Sequence, residues 1–535
     1  MLSSAVFALA SLSTSYAATI VSHSAPFSQG DTPAVLGAKS NLVIANKVIA
    51  PDGFNRSTVL AGGTFPGPII KATKGASFSI NVINQLTDST MHKTTSVHFH
   101  GIYQNGTNYA DGVSFVTQCP VAANDTFTHN FNVPNQAGTF WYHSHLSSQT
   151  CDGLRGPLII YDQNDPHAKL YDVDDESTIL TLADWYHLPA PVLNTILGVK
   201  PNTTLINGRG RYYGGPMTDL SVVNVEQGKR YRFRLISMAC DPLYTFSIDG
   251  HSLTVIEADG VSTEPLQVDS IDILAGQRYS FVLTANQPIA NYWIRSLPNT
   301  PRATFAGGLN SAILRYKGAP AAEPATIQAI SVAPLVESSL HTLIDPGAPG
   351  KPVLGAADIN IHLRVDVLNG IFSVNNVSFI PPPIPVLLQI LSGARIATEF
   401  LPTGSVYVLE PNKVVEVTVE GSEFGPHPIH LHGHDFDVIR SGGSNVTNFV
   451  NPVRRDVVST GLLGESVTFR FVTNNAGPWF LHCHIEWHLE AGFAVVMAED
   501  PSGAQSHIGS ASESWEQLCP KYNSLTPPQL GGLIP

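Results

Sequence analysis

Ten histidines and one cysteine stand at spacings suited to holding metal ions. His98/His100, His143/His145, His430/His432 and His482/His484 are four His-x-His pairs. In a β-strand, residues i and i+2 point to one face, roughly 6.6–7 Å apart. Each pair can therefore present two imidazoles together, and eight converging imidazoles suit a compact cluster of ions rather than one. Cys483 lies between His482 and His484, so its sulfur points to the other face. His427 precedes His430 by three residues and shares that parity; His488 follows Cys483 by five. A set of two histidines and one cysteine belongs to a trigonal blue-copper centre. Zinc is the competing ion, but structural zinc usually takes four ligands with more sulfur.

The elements that must carry these residues are repeated. Ala137–His145 (AGTFWYHSH) matches Ala476–His484 (AGPWFLHCH) without a gap, and His98–Gly101 matches His430–Gly433. Gly153 falls opposite Gly492, each before an apolar strand (Pro157–Tyr161 and Ala494–Ala498). The middle of the chain holds a weaker copy: Phe246–His251 resembles Ile429–His434, and Tyr231–Leu235 resembles Val467–Phe471. One β-domain type thus recurs at a period of roughly 150–170 residues, too long for a solenoid. Short alternating strands are expected at Asn41–Ile49, Ser77–Ile83, Ser221–Val225, Tyr231–Ile236, Arg278–Thr284, Val414–Val419 and Ser466–Val472. Turn signals separate them, which reads as all-β Greek-key sandwiches. The expected division is 18–165, 166–340 and 341–535.

The copies differ where it matters. Opposite His427, Cys483 and His488 the first copy has Thr95, Ser144 and Gln149, so it keeps cluster histidines but lacks the blue-copper set. The middle copy has Ser247 and Asp249 opposite His430 and His432. The cluster is therefore expected between the first and third domains, bridged by a middle domain without copper.

Bulk properties narrow the setting. The chain has 535 residues, and only 13% are charged, which fits a large buried core. The net charge of −13 argues against nucleic-acid binding and offers no basic patch for anionic lipid. Residues 1–17 read as a secretory leader, with Ser15-Tyr16-Ala17 as the cleavage site. No later stretch is apolar for long enough to span a membrane. Six sequons, at Asn55, Asn105, Asn124, Asn202, Asn376 and Asn445, fit an extracellular glycoprotein. Of five cysteines, Cys483 is the odd one; Cys119, Cys151, Cys240 and Cys519 can pair in three ways.

The chain resembles the multicopper oxidases, and more closely the fungal laccases, from about Val35 onward. The motifs are His98-Phe-His-Gly101, Trp141-Tyr-His-Ser-His145, His427-Pro-Ile-His-Leu-His-Gly-His434 and His482-Cys-His-Ile-Glu-Trp-His488-Leu-Glu-Ala-Gly-Phe493. The resemblance implies four coppers. His427, Cys483 and His488 would hold type 1, and His98 and His430 type 2. His100, His143 and His484 would hold one type 3 ion, and His145, His432 and His482 the other. His434 matches no ligand. The axial position falls on Phe493, with Ile485 on the other side; neither can coordinate, and a missing thioether raises the potential. Asp241 matches an acid that receives a hydrogen bond from a phenol or arylamine, and Asp111 an acid that moves protons near type 2. The implied disulfides are Cys119–Cys519 and Cys151–Cys240. Tyr109 stands where the family often has Trp, and residues 18–34 are extra. The implied reaction is one-electron oxidation of phenols and aromatic amines coupled to reduction of O2 to water, by a secreted monomer. A ferroxidase, using Glu423 near His427, and a non-enzymatic copper carrier are the alternatives.

Overall fold

The computed structural model describes residues 33–532 except 197, 302 and 510. The expected leader and nearly all of the extra segment lie outside the described residues. The chain is mostly β-structure, arranged as three cupredoxin-like units in sequence, each with two main sheets.

The first unit pairs a five-stranded sheet ending in Arg155–Tyr161, Gly138–Ser144 and Val97–His100 with a four-stranded sheet. The second pairs six strands with five; the third pairs two five-stranded sheets and adds a hairpin, Val365–Leu368 with Ile371–Val374. Strands facing solvent on one side alternate as their sequence does. Ser77–Gln85 buries Phe78, Ile80, Val82 and Asn84 and exposes or half-exposes the residues between. Arg278–Thr284 and Ser466–Val472 form strands over the expected residues.

The two strands that carry most of the chemistry break that alternation. Gly138–Ser144 and Gly477–Cys483 are buried at every position. Their aromatic and aliphatic content suits a strand covered on both faces. Each begins with a glycine at positive φ, Gly138 at 137° and Gly477 at 139°. A Cβ on Gly138 would come within 2.7 Å of Gly260 Cα, and one on Gly477 within 2.8 Å of Asn108. Glycine lets a neighbouring loop from another unit approach at both places. The repeat extends to pairing: His98 lies opposite His143, and His430 opposite His482.

Apolar packing joins the units. One core runs through the second and third, including Phe233, Phe281, Phe469 and Cys483. A second links Tyr109 and Val113 of the first unit to Phe480 and Val496 of the third and to Trp515 near the C-terminus. A fully buried arginine ties all three. Arg278, in the second, donates to the Thr139 carbonyl (3.0 Å) in the first and grips both carboxylate oxygens of Asp456 (2.6 Å each) in the third. Losing either partner would strand a buried charge, at a cost of about 3–5 kcal/mol. The disulfides are Cys119–Cys519 and Cys151–Cys240, and Cys483 is a free buried thiol, as the resemblance implied.

Candidate metal centre

His427 directly precedes the strand Pro428–Leu431, and Cys483 ends the strand Gly477–Cys483. His488 stands on the short helix Glu486–Glu490 and not on a continuation of the strand, where an odd spacing of five would turn it away from Cys483. The helix folds its ring back over the sulfur. His427 Nδ1 and His488 Nδ1 are 3.1 Å apart, and Cys483 Sγ lies 3.7 Å from each. Burial holds His427 at about 4 and His488 at about 3, so both rings are neutral at ordinary pH. Two imidazole lone pairs facing each other at 3.1 Å repel one another unless a cation lies between them. The outer nitrogen of His427, Nε2, donates to Ser422 Oγ (2.6 Å), which leaves Nδ1 for the metal. Phe493 packs 5.2 Å from the His427 ring, and the Ile485 N–H meets the sulfur at 3.5 Å. Phe372 stacks on Phe493 and lies 4.5 Å from the His488 ring.

The eight remaining histidines meet between the first and third units. Ligand atoms in each of the sets His98–His100–His430, His100–His143–His484 and His145–His432–His482 lie within 4.8 Å of one another. Their outer nitrogens are anchored. His98 Nδ1 donates to the Asp111 carbonyl (2.7 Å), His143 Nδ1 to that of Ser144 (2.8 Å), His430 Nδ1 to that of Asp456 (2.9 Å) and His482 Nδ1 to that of Cys483 (2.9 Å). The inner nitrogens are bare: Nε2 of His98, His143, His145 and His430 is buried without a hydrogen-bond partner. Buried polar atoms rarely go unpaired, so four unpartnered acceptors converging on one space fit metal ions. Burial, with repulsion from neighbouring imidazoles, keeps His100, His143, His145, His430 and His432 well below the usual histidine range. Neutral imidazoles are what a metal needs.

Carboxylates brace the cluster. Asp111 Oδ2 accepts from His432 Nδ1 (2.9 Å), while its buried Oδ1 has no hydrogen-bond partner. Asp456 Oδ1 lies 3.2 Å from His100 Nε2. Asp456, Arg278, Ser422 and Phe372 went unnoticed in the sequence. For Asp456 the available cue is Arg454-Arg455-Asp456 set against apolar neighbours in a chain poor in charge; Ser422 carries none. His434 is not in these sets: its Nε2 pairs with Glu499 Oε2 (2.9 Å), deep in the third unit.

Asp241 reaches the type 1 side through its neighbour. The Cys240 carbonyl accepts the Glu486 N–H (2.8 Å), which sets Asp241 beside the helix bearing His488. Burial raises its carboxyl to about 6; Lys200, 4.0 Å away, pulls it down and Asp184 pushes it up. Glu423, the acid considered for iron, is exposed and belongs to no group of potential ligands among the described residues.

Family models described as multicopper oxidase match residues 43–165, 176–319 and 379–503. The chain is 56% identical over 517 residues to Laccase-2 of Pleurotus ostreatus, spanning 94% of this chain and 96% of that one. It is 56% identical over 498 residues to a laccase of Phlebia radiata, spanning 92% and 95%. The solved laccase of Botrytis aclada superposes with a TM-score of 0.81 at 32% identity, over 93% of this chain and 94% of that one. Fet3p, a multicopper oxidase that functions in iron import, gives 0.78 at 28% identity, over 92% and 96%. The chain belongs to the multicopper oxidase family, on its laccase branch, with four coppers as cofactors: one type 1, one type 2 and a type 3 pair.

Proposed function

We propose that this laccase oxidises phenols and aromatic amines at His488, with each copper ligand in the role its motif implies. His427, Cys483 and His488 hold type 1; His98 and His430 hold type 2. His100, His143 and His484 hold one type 3 ion, and His145, His432 and His482 the other. The observation that carries this is covalent. Cys483, in the type 1 triangle, shares peptide bonds with His482 and His484, which reach into the cluster on the other face. Bound copper supplies a one-electron acceptor at type 1 and the four-electron reduction of O2 to two waters at the cluster.

The residues do the rest. The half-exposed ring of His488 is the face on which a donor ring can rest. Asp241 takes the phenolic proton and so lowers the cost of removing the electron. Phe493 and Ile485 present no donor atom to type 1 and keep water out. Asp111 orients His432 with one oxygen, and the other, 3.2 Å from His98 Nδ1, is placed to carry protons toward the cluster. The domain limits near 165 and 340, a monomeric state and an extracellular, glycosylated existence belong to the same reading. Laccases of Pleurotus ostreatus and Phlebia radiata at 56% identity are the support for keeping these with the laccase reading; no helix among the described residues is long and apolar enough to cross a membrane. Copper content with visible and electron-spin spectra, followed by O2 uptake on 2,6-dimethoxyphenol, tests the assignment. A copper-loaded protein without a blue band, or without O2 uptake, refutes it. The likeness to Fet3p makes iron the comparison substrate. The acid beside the His488 helix is Asp241, paired with Lys200, so Fe2+ is expected to be the poorer donor.

A further inference from the structure

The ammonium of Lys200 lies 4.0 Å from the Asp241 carboxylate, while its side chain stays 56% exposed. Its charge acts on the Asp241 carboxylate. The chain as a whole carries −13 and repels anions at long range. A cation at this mouth is thus a local reversal of the prevailing field. Asp184, the other acid acting on Asp241, does not compete for it: its oxygens take Arg155 (3.1 Å) and the Tyr186 hydroxyl (2.7 Å). Phe424, against the Phe372 that lies 4.5 Å from the His488 ring, is an exposed apolar side chain able to cover a ring face.

We propose that Lys200 makes carboxylated phenols, of the hydroxybenzoate and hydroxycinnamate class, the preferred electron donors. This rests on the reading of Asp241 and His488 as the substrate end of the type 1 site. The phenolic O–H bond breaks, its proton goes to the Asp241 carboxylate, and one electron leaves through the His488 ring. The substrate carboxylate is unchanged, and the product departs as a phenoxyl radical. Four such events supply the four electrons, and the released protons, that turn one O2 into two waters. When Asp241 becomes neutral, Lys200 loses its counter-charge. A carboxylate on the substrate replaces that charge at the moment of transfer, so the contact strengthens along the reaction. The four-carbon stem of lysine lets the ammonium swing from Asp241 toward a substituent on the far side of the ring.

The test compares 4-hydroxy-3,5-dimethoxybenzoate with 2,6-dimethoxyphenol, the same ring without the carboxylate, on the copper-loaded enzyme. Lys200→Met keeps the stem and removes the charge. The ratio of the two kcat/KM values is expected to fall about two- to fivefold, the worth of one exposed ion pair. Lys200→Glu lowers it further, and raised salt erases the preference in the parent protein. Calorimetric binding of 3,4,5-trimethoxybenzoate, which has no phenolic proton to give, weakens in Lys200→Met. An unchanged ratio, or equal loss on both phenols with unchanged benzoate binding, overturns the proposal. If the parent enzyme oxidises neither phenol, the laccase reading fails instead.

Discussion

The first and third units contain the same corner built twice, once closed by hydrogen bonds and once lined by two histidines and a cysteine able to hold a metal ion. In the first, Gln149 Oε1 accepts from the Thr95 and Ser144 hydroxyls (2.7 Å each), and its Nε2 donates to the His92 and Thr94 carbonyls (3.1 and 2.9 Å). Every polar group of that side chain is satisfied. In the third, His427, Cys483 and His488 occupy the matching positions, and the two imidazoles turn their Nδ1 atoms toward each other at 3.1 Å beside the sulfur. A corner closed by hydrogen bonds is complete as folded; a corner of opposed acceptors is complete only with a cation. The two strands also continue differently. The first enters the single turn Gln149–Asp152, the third the helix Glu486–Glu490 that brings His488 back over the sulfur.

That contrast can be broken or sharpened by substitution. Cys483→Ser has the largest expected effect: the blue band and phenol oxidation vanish while circular dichroism stays that of the parent. Asp241→Asn comes next, cutting kcat/KM for phenols by about a hundredfold, within the usual span of proton-transfer catalysis. Oxidation of ferrocyanide, which has no proton to give, is spared. Asp241 can accept a proton only when ionised, and its carboxyl sits at about 6. Phenol oxidation should therefore rise as pH climbs through about 6, and that limb should be absent in Asp241→Asn. Lys200 and Asp184 act on this group in opposite senses, so Lys200→Met moves the limb to higher pH. Ser422→Ala removes the acceptor for His427 Nε2. It should weaken type 1 copper retention by about tenfold, read by competition with a chelator, and move the blue band. Gln149→Ala is expected to have the smallest effect on chemistry. It leaves the blue band and oxidation rates in place but costs about 2–3 kcal/mol, seen as a lower Tm, because buried hydroxyls lose their acceptor. A loss of blue colour there would show that the two corners are not independent.

The comparison was partly legible in the sequence. The pairs His98/His100 and His482/His484 are neighbours in the chain, so strand parity alone groups them and separates Cys483. The repeat identified Thr95, Ser144 and Gln149 as counterparts of the ligands, but not the hydrogen bonds that close them. Position 488 stood out by its motif and not as a helical residue: its odd spacing of five from Cys483 would put it on the opposite face of a continued strand, and only a change of course brings the two together. Arg278 lay beyond reach, and the cue at Asp456 did not extend to the residues it meets. Asp456 meets His100 across 356 positions, and Arg278 meets Asp456 across 178. No local pattern encodes a contact between residues so far apart, and a buried charge looks the same on paper as an exposed one. The disulfide pairing came from family likeness; cysteine counting left three possibilities.

The two sites also differ in where their side chains come from. His427, Cys483 and His488 all belong to the third unit, although the core around Cys483 is shared with the second. The eight-histidine chamber draws four residues from the first unit and four from the third, with Arg278 of the second locking Asp456 between them. It exists only once all three have docked. The two sites therefore differ in what a loss of docking would undo: one corner draws its three side chains from a single repeat, whereas the eight-histidine chamber is made by the contact between two.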